Sequence, residues 1–225
     1  MSANPYQVVR DFEAAVAEYC GSPFAVSVNS CTNALFLCLM WFKSQGGAPD
    51  TIEIPKRTYV SVPMQIMHAG MGVRFRDQIW SGIYPLCPLP LYDAARRFTS
   101  GMYGRTTFMC TSHHWGKTLG IQQGGMVLHD DPRADAWLRR ARFDGRTEGV
   151  HPSEDGFEHL GWHMYMSPEI AAEGLMRLAL LPKHNADLAW DDYPDLSKLG
   201  LFREQRRRLS AADLTLMALG KIDAA

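Results

Sequence analysis

The chain has 225 residues, of which 46% are hydrophobic and 21% charged, a globular composition with enough apolar surface for a packed core. A formal net charge of -1 excludes a broad basic surface for nucleic acid or anionic membrane, so any phosphate must be met locally. The longest apolar stretch, Ala34 to Phe42, falls well short of the ~20 residues that cross a bilayer as a helix, so no membrane contact is expected.

The N-terminal sequence carries acid early and has no signal-peptide core, which points to a cytoplasmic protein. Cys20, Cys31, Cys38, Cys87 and Cys110 form no C-x-x-C pair, and their odd number argues for reduced, mostly buried thiols.

Residues 7 to 19 place Val8, Phe12, Val16 and Tyr19 on one face, which predicts an amphipathic helix ending near Gly21. Phe24 to Asn29 reads as a short strand that feeds through Ser30-Cys31-Thr32-Asn33 into a helix over Ala34 to Lys43. The alternation continues with a strand at Thr51 to Pro55, a helix from Thr58 to His68 and a strand at Gly72 to Asp77. Such alternation predicts an α/β three-layer sandwich with a mostly parallel central sheet.

Ile83 to Tyr92 is apolar but rich in proline, so at most its last residues can form a central strand. Arg105 to Thr111 and Gly125 to His129 suit two further strands around the loop Ser112 to Gly124. Pro132 opens a helix, Ser167 and Pro168 provide N-cap and first position of another, and Asp144 to His159 is a polar loop. The tail from Arg203 is predicted helical, its Arg203 to Arg208 run reading as a solvated face more than a nucleic-acid contact. A division at residue 145 separates a large domain, 1–145, from a loop and helical C-terminal part, 146–225.

In an α/β sheet, ligands gather beyond the carboxyl ends of strands, and several polar residues fall there. Ser30 to Asn33 offers backbone N–H groups, hydroxyls and a helix dipole to a phosphate; taken alone, the simpler reading is a plain N-cap by Ser30 or Thr32. Asp93 ends a hydrophobic run and needs a partner, either a protonated ring nitrogen or a salt bridge to Arg96 or Arg97. Lys117, between two apolar runs, is either a solvent-exposed loop lysine or an amine whose surroundings make it a nucleophile. His113, His114 and Trp115 adjoin it, but without a second ligand pair no metal is expected.

Taken in order, Ser30-Cys-Thr-Asn-Ala-Leu35, Pro55-Lys-Arg-Thr-Tyr-Val60, Tyr92-Asp-Ala-Ala95 and Ser112-x4-Lys117-x6-Gly-Gly resemble the DegT/DnrJ/EryC1/StrS aminotransferases. These are fold-type I pyridoxal 5'-phosphate enzymes of nucleotide-sugar metabolism, and the likeness runs over about residues 7 to 182. It implies that Lys117 carries the cofactor as a Schiff base and later shuttles the substrate proton. It also implies that Asp93 holds the pyridinium N–H, that Tyr59 stacks on the ring, and that Cys31, Thr32, Asn33 and Ser112 surround the phosphate.

Departures from the pattern sit at the same site. Cys31 replaces a glycine, Arg96 a Gln or His beside the cofactor's phenolic oxygen, His163 an Asn that reaches the neighbouring subunit's phosphate, and Tyr165 an Arg. Little remains of the family's segments between Asp77 and Leu91 or of its C-terminal small domain, which implies an open site for a bulky substrate, or one completed by a partner. The resemblance therefore implies an aminotransferase acting as a homodimer on a nucleotide-linked sugar or similar molecule. A decarboxylase or lyase on an attached amino acid, and a non-catalytic binding module, stay open beside it. Retention of Lys117 sets the chain apart from dehydratase-like relatives with His at that place.

Overall fold

The computed structural model describes residues 4–189 and 192–203. The chain runs α1 (Gln7–Cys20), β1 (Phe24–Val28), α2 (Cys31–Ser44), β2 (Thr51–Pro55), α3 (Ser61–His68) and β3 (Gly72–Arg76). It continues with β4 (Tyr84–Pro85), β5 (Leu91–Asp93), β6 (Phe108–Ser112), β7 (Gly125–His129), α4 (Pro132–Ala141), α5 (Pro168–Leu180) and a 3-10 turn at Leu196–Lys198. From residue 204 on, the expected basic tail helix lies outside the described residues.

Helix ends follow local chemistry. α1 stops at Gly21, whose φ of 76° lets its N–H reach back to the Ala17 and Glu18 carbonyls. Asp131 caps α4 by accepting from the N–H groups of Arg133 and Ala134, with Pro132 in the first turn. Ser167, expected as a cap for α5, precedes Pro168 but makes no side-chain capping bond.

Five strands pair in the order β1-β7-β6-β5-β4, and β2 and β3 form a parallel pair. The two sets meet through an antiparallel bridge between Glu53 and Cys87. The three-layer α/β expectation holds, but the sheet is mixed rather than mostly parallel in its pairing. β7 lies antiparallel between β1 and β6, and β4 pairs antiparallel with β5, leaving β5/β6 and β2/β3 as the parallel ladders among the described residues. The cause is connectivity: residues 113–124 join β6 to β7 without the crossover helix that a parallel neighbour needs.

Alternation along the strands builds two cores. Val26, Val28, Cys110 and Val127 face a cluster with α2, α3 and α4, whereas Ala25, Met109, Met126 and Leu128 face α1 and α5. Both faces of β6 and β7 are buried throughout. α5 approaches α1 closely because Gly174 lacks a side chain: a Cβ there would stand 2.6 Å from the Phe12 ring. Among the described residues no helix is long and apolar enough to cross a membrane.

One charge cluster ties α1 to β1 and α4. Glu13, 3% exposed, accepts from the Ser27 N–H and hydroxyl, each at 2.8 Å, from Arg139 at 2.6 Å and from Arg142. Burial alone would raise the Glu13 pKa, but Arg142 and Arg139 overcome it and hold the carboxyl at about 2. A carboxylate with a depressed folded pKa stabilises above its unfolded pKa and loses that contribution as pH falls. Acid titration should therefore show stability falling between pH 4.5 and about 2, followed by circular dichroism. Glu13→Gln should flatten that limb and, by removing the nearer carboxylate of buried Arg142 and leaving it only Glu148 at 3.8 Å, cost about 3 kcal/mol at neutral pH.

Candidate functional site

Asp93 ends β5, buried to 5% exposure, and both its oxygens have donors. The Tyr84 hydroxyl donates to Oδ2 at 2.7 Å and the Ala95 N–H to Oδ1 at 2.8 Å. Since the Tyr84 proton is committed to Asp93, the Thr58 hydroxyl, 2.5 Å away, donates to Tyr84 in turn. Burial raises the Asp93 pKa, and the Ala95 N–H, Tyr84, Lys117 and Arg96 oppose it. The alternative of a salt bridge to Arg97 does not occur, because Arg97 makes a two-pronged contact with Asp187 at 2.9 and 2.7 Å.

Lys117 lies in the loop after β6, its backbone N–H held by the His114 carbonyl at 2.8 Å. Its side chain is half-buried, not the free loop lysine of the alternative reading. Burial, then the Arg96 guanidinium, lowers its pKa, while Cys31, Asp93 and Asp192 pull the other way. The same loop sends its neighbours elsewhere. His113 is fully buried, edge-on to Phe12 and Phe98, with its pKa lowered to about 3 by burial, so it is a neutral core residue. Trp115 is 73% exposed. Among the described residues no group of three His, Cys, Asp or Glu converges as metal ligands would.

At the start of α2, Ser30 is the N-cap, accepting from the Asn33 N–H at 3.2 Å. That leaves the Thr32 hydroxyl to meet Ser61, in the first turn of α3, at 2.9 Å, while the Asn33 amide donates to Asn29 at 2.7 Å. Cys31 is buried, with its thiol 3.4 Å from the Cys110 carbonyl. Burial and then Asp93 raise its pKa and Lys117 lowers it. Ser112 pairs in register with Gly125, and a Cβ on Gly125 would come within 2.4 Å of the Cys31 nitrogen. Only glycine lets β7 lie this close to the helix start.

Arg96 follows Asp93 by three residues and gives two hydrogen bonds to the Tyr193 hydroxyl, at 3.2 Å from Nε and 3.1 Å from Nη2. Tyr59 is 55% exposed, its ring 6.4 Å from that of Tyr193. His163 stands apart from this group. Its Nδ1 is 2.9 Å from Asp144 and its ring packs on Tyr165, while the side chain is 72% exposed. The structure thus gathers Asp93, Lys117, Arg96 and Cys31, with Thr32, Asn33 and Ser112 around the start of α2.

Sequence reasoning missed Tyr84, Thr58 and Tyr193. Tyr84 sits in a proline-rich segment with no periodicity to mark it. The signal that could have found it is the need of buried Asp93 for a donor.

Residues 2–79 match the model of the DegT/DnrJ/EryC1/StrS aminotransferase family. Among solved structures, the chain resembles the sugar aminotransferase CalS13 from Micromonospora echinospora, with a TM-score of 0.66 and 21% identity over 77% of this chain and 60% of that one. A putative PLP-dependent aminotransferase from Bacillus cereus gives a TM-score of 0.64 at 16% identity, over 93% of this chain and 65% of that one. DesI, solved in the presence of its TDP-sugar product, gives 0.58 at 20% identity over 78% and 53%. The chain thus spans less than two thirds of the length of each of these three structures. No curated protein matches. These likenesses show the fold, that of fold-type I pyridoxal phosphate aminotransferases.

Tyr84→Phe removes the donor to Asp93 and strands a buried oxygen. It should destabilise the chain by about 1–3 kcal/mol in urea at neutral pH. Because the Asp93 pKa is already raised and this change raises it further, the deficit should shrink as the pH drops and Asp93 takes up a proton.

Proposed function

We propose that this chain is the cofactor-binding part of a pyridoxal phosphate-dependent aminotransferase that acts on a nucleotide-linked sugar or a similarly bulky substrate, with Lys117 as the point of covalent attachment. The observation that carries the reading is the meeting of a buried carboxylate, Asp93, with a half-buried amine of lowered pKa, Lys117, beside the hydroxyl-bearing start of α2. The family match over residues 2–79 and the fold support it.

The donor set fits that cofactor. Each Asp93 oxygen has accepted one hydrogen bond and keeps a lone pair, which would hold a pyridinium N–H. Cys31, Thr32, Asn33 and Ser112 would surround the phosphate at the positive end of α2. Tyr59, half-exposed, would cover a ring face, and Arg96 would set a positive charge near the phenolic oxygen.

When bound, pyridoxal phosphate supplies an electron sink for the pair left when a substrate Cα–H breaks. Asp93, as an anion, would keep the ring nitrogen protonated. Lys117, once released from the cofactor, would be the base that takes the α-proton and returns it one position along, a role served by its lowered pKa.

We read residues 1–145 as the large domain and 146–225 as the remaining C-terminal part. The active form would be a cytoplasmic homodimer in which the exposed His163 of one subunit, steadied by Asp144, reaches the cofactor of the other. DesI's TDP-sugar product supports the substrate class.

Incubation with pyridoxal phosphate should turn the protein yellow, and borohydride reduction followed by peptide mass spectrometry should place the adduct on Lys117. Lys117→Ala should abolish it. A colourless protein, or an adduct on another lysine, overturns the reading. With the adduct in hand, conversion to the pyridoxamine form by an amino donor separates transamination from decarboxylation.

A further inference from the structure

After α5 the chain comes back to the site, and residues 192–203 are fastened there. Leu196 is fully buried, and Phe202 packs edge-on to Phe75 of β3 at 5.5 Å. The Leu196 N–H donates to the Lys56 carbonyl at 2.9 Å, and the Asp195 carboxylate is 3.6 Å from the Lys56 ammonium. This anchoring places Tyr193 between three neighbours. Arg57 donates to its carbonyl at 2.9 Å, Trp80 stacks on its ring at 6.3 Å with the planes 19° apart, and Tyr59 lies tilted at 6.4 Å. Trp80 is itself pinned, its Nε1–H donating to the Arg57 carbonyl at 2.9 Å.

A phenol held by its ring and its backbone offers a fixed acceptor, and Arg96 uses it twice, through Nε and Nη2. The guanidinium also lies 5.0 Å from the centre of the Tyr193 ring. We propose that Tyr193 is a positioning residue of the Lys117 centre, its hydroxyl fixing the Arg96 guanidinium on the lysine's side of the site. This rests on reading Lys117 as the reactive amine.

The charges around that amine show what the hydroxyl controls. Arg96, three residues past β5, opposes the ammonium form, as burial does. Cys31 on α2, Asp93 on β5 and Asp192 on the returning segment favour it. Asp192, 80% exposed and 3.8 Å from Arg96, is the competing anchor. Without the Tyr193 hydroxyl, Arg96 loses both bonds that fix it and is free to swing into water, and Lys117 loses the cation that disfavours its own charge.

The test is a proton titration of Lys117 that needs neither cofactor nor turnover. The lysines are reductively methylated with 13C-formaldehyde, and the Lys117 resonance is assigned by its loss in Lys117→Arg. Tyr193→Phe keeps the ring stack and removes only the hydroxyl. It should raise the Lys117 midpoint by roughly half a pH unit or more, as withdrawal of a neighbouring like charge does. Introduced on an Arg96→Met background, the same change should move the midpoint by less than about 0.2 unit. An unmoved midpoint in Tyr193→Phe, or an equal rise on both backgrounds, overturns the positioning role. A protein that stays colourless with pyridoxal phosphate while its Lys117 midpoint moves as stated removes the cofactor reading and leaves the positioning role standing. Borohydride trapping at Lys117 with an unmoved midpoint does the reverse.

Discussion

A carboxylate held in a protein interior costs several kcal/mol unless donors meet it, and Asp93 imposes that requirement at the centre of this molecule. Its strand, β5, has only three residues, so neighbouring segments supply the donors. Tyr84 comes from β4, the Thr58 behind it precedes α3, and the Ala95 N–H follows the strand itself. These bonds do more than satisfy a charge. Together with the bridge between Glu53 and Cys87, they join the β2/β3 pair to the five-stranded sheet. They also set Tyr84 4.7 Å from Trp80, which stacks in turn on Tyr193. One buried negative charge thus organises polar contacts on both sides of it, and the Lys117 amine and the Cys31 thiol both respond to its field.

Local patterns in the sequence were enough for the elements whose causes are local. β2 lies at Thr51–Pro55 as its hydrophobic pattern predicts, and α2 follows β1 through the turn marked by Ser30. The last residues of the proline-rich run do enter a central strand, β5, while Tyr84–Pro85 near its start form the short end strand β4 paired with it. Sheet order was not legible, because whether β7 enters beside β1 or elsewhere depends on which faces close the core rather than on its own five residues. For the candidate site, the juxtaposition of Asp93, Lys117 and the start of α2 could be anticipated from motif order. The need of Asp93 for a donor could be anticipated too, but not that Tyr84 meets it, and Tyr193 carries no signal, since each is an isolated aromatic whose partner lies in another segment. Arg97 is near enough in sequence to partner Asp93, but Asp187, ninety residues on, claims it.

Two glycines show how small features fix large distances. Gly174 lets α5 settle against Phe12, and Gly125 lets β7 press on the backbone of Ser30 and Cys31. A methyl group at either place would push against a core ring or the main chain, a strain of about 1–3 kcal/mol. At Gly125 the displaced backbone is that of the helix start itself, so sheet packing and the placement of the first turn of α2 are set by the same missing atom.

The position of β7 also bears on how the chain emerges from the ribosome. β1 leaves the ribosome well before its ladder partner β7, since Val26 pairs with Val127, roughly a hundred residues later. Until then β1, four of whose five residues end up buried, has an unpaired edge and an uncovered face. α1 and α2 can form at once, but the layer between them cannot close. The nascent protein therefore passes through a stage in which a sticky strand waits for its neighbour, the circumstance in which chaperone capture competes with self-association.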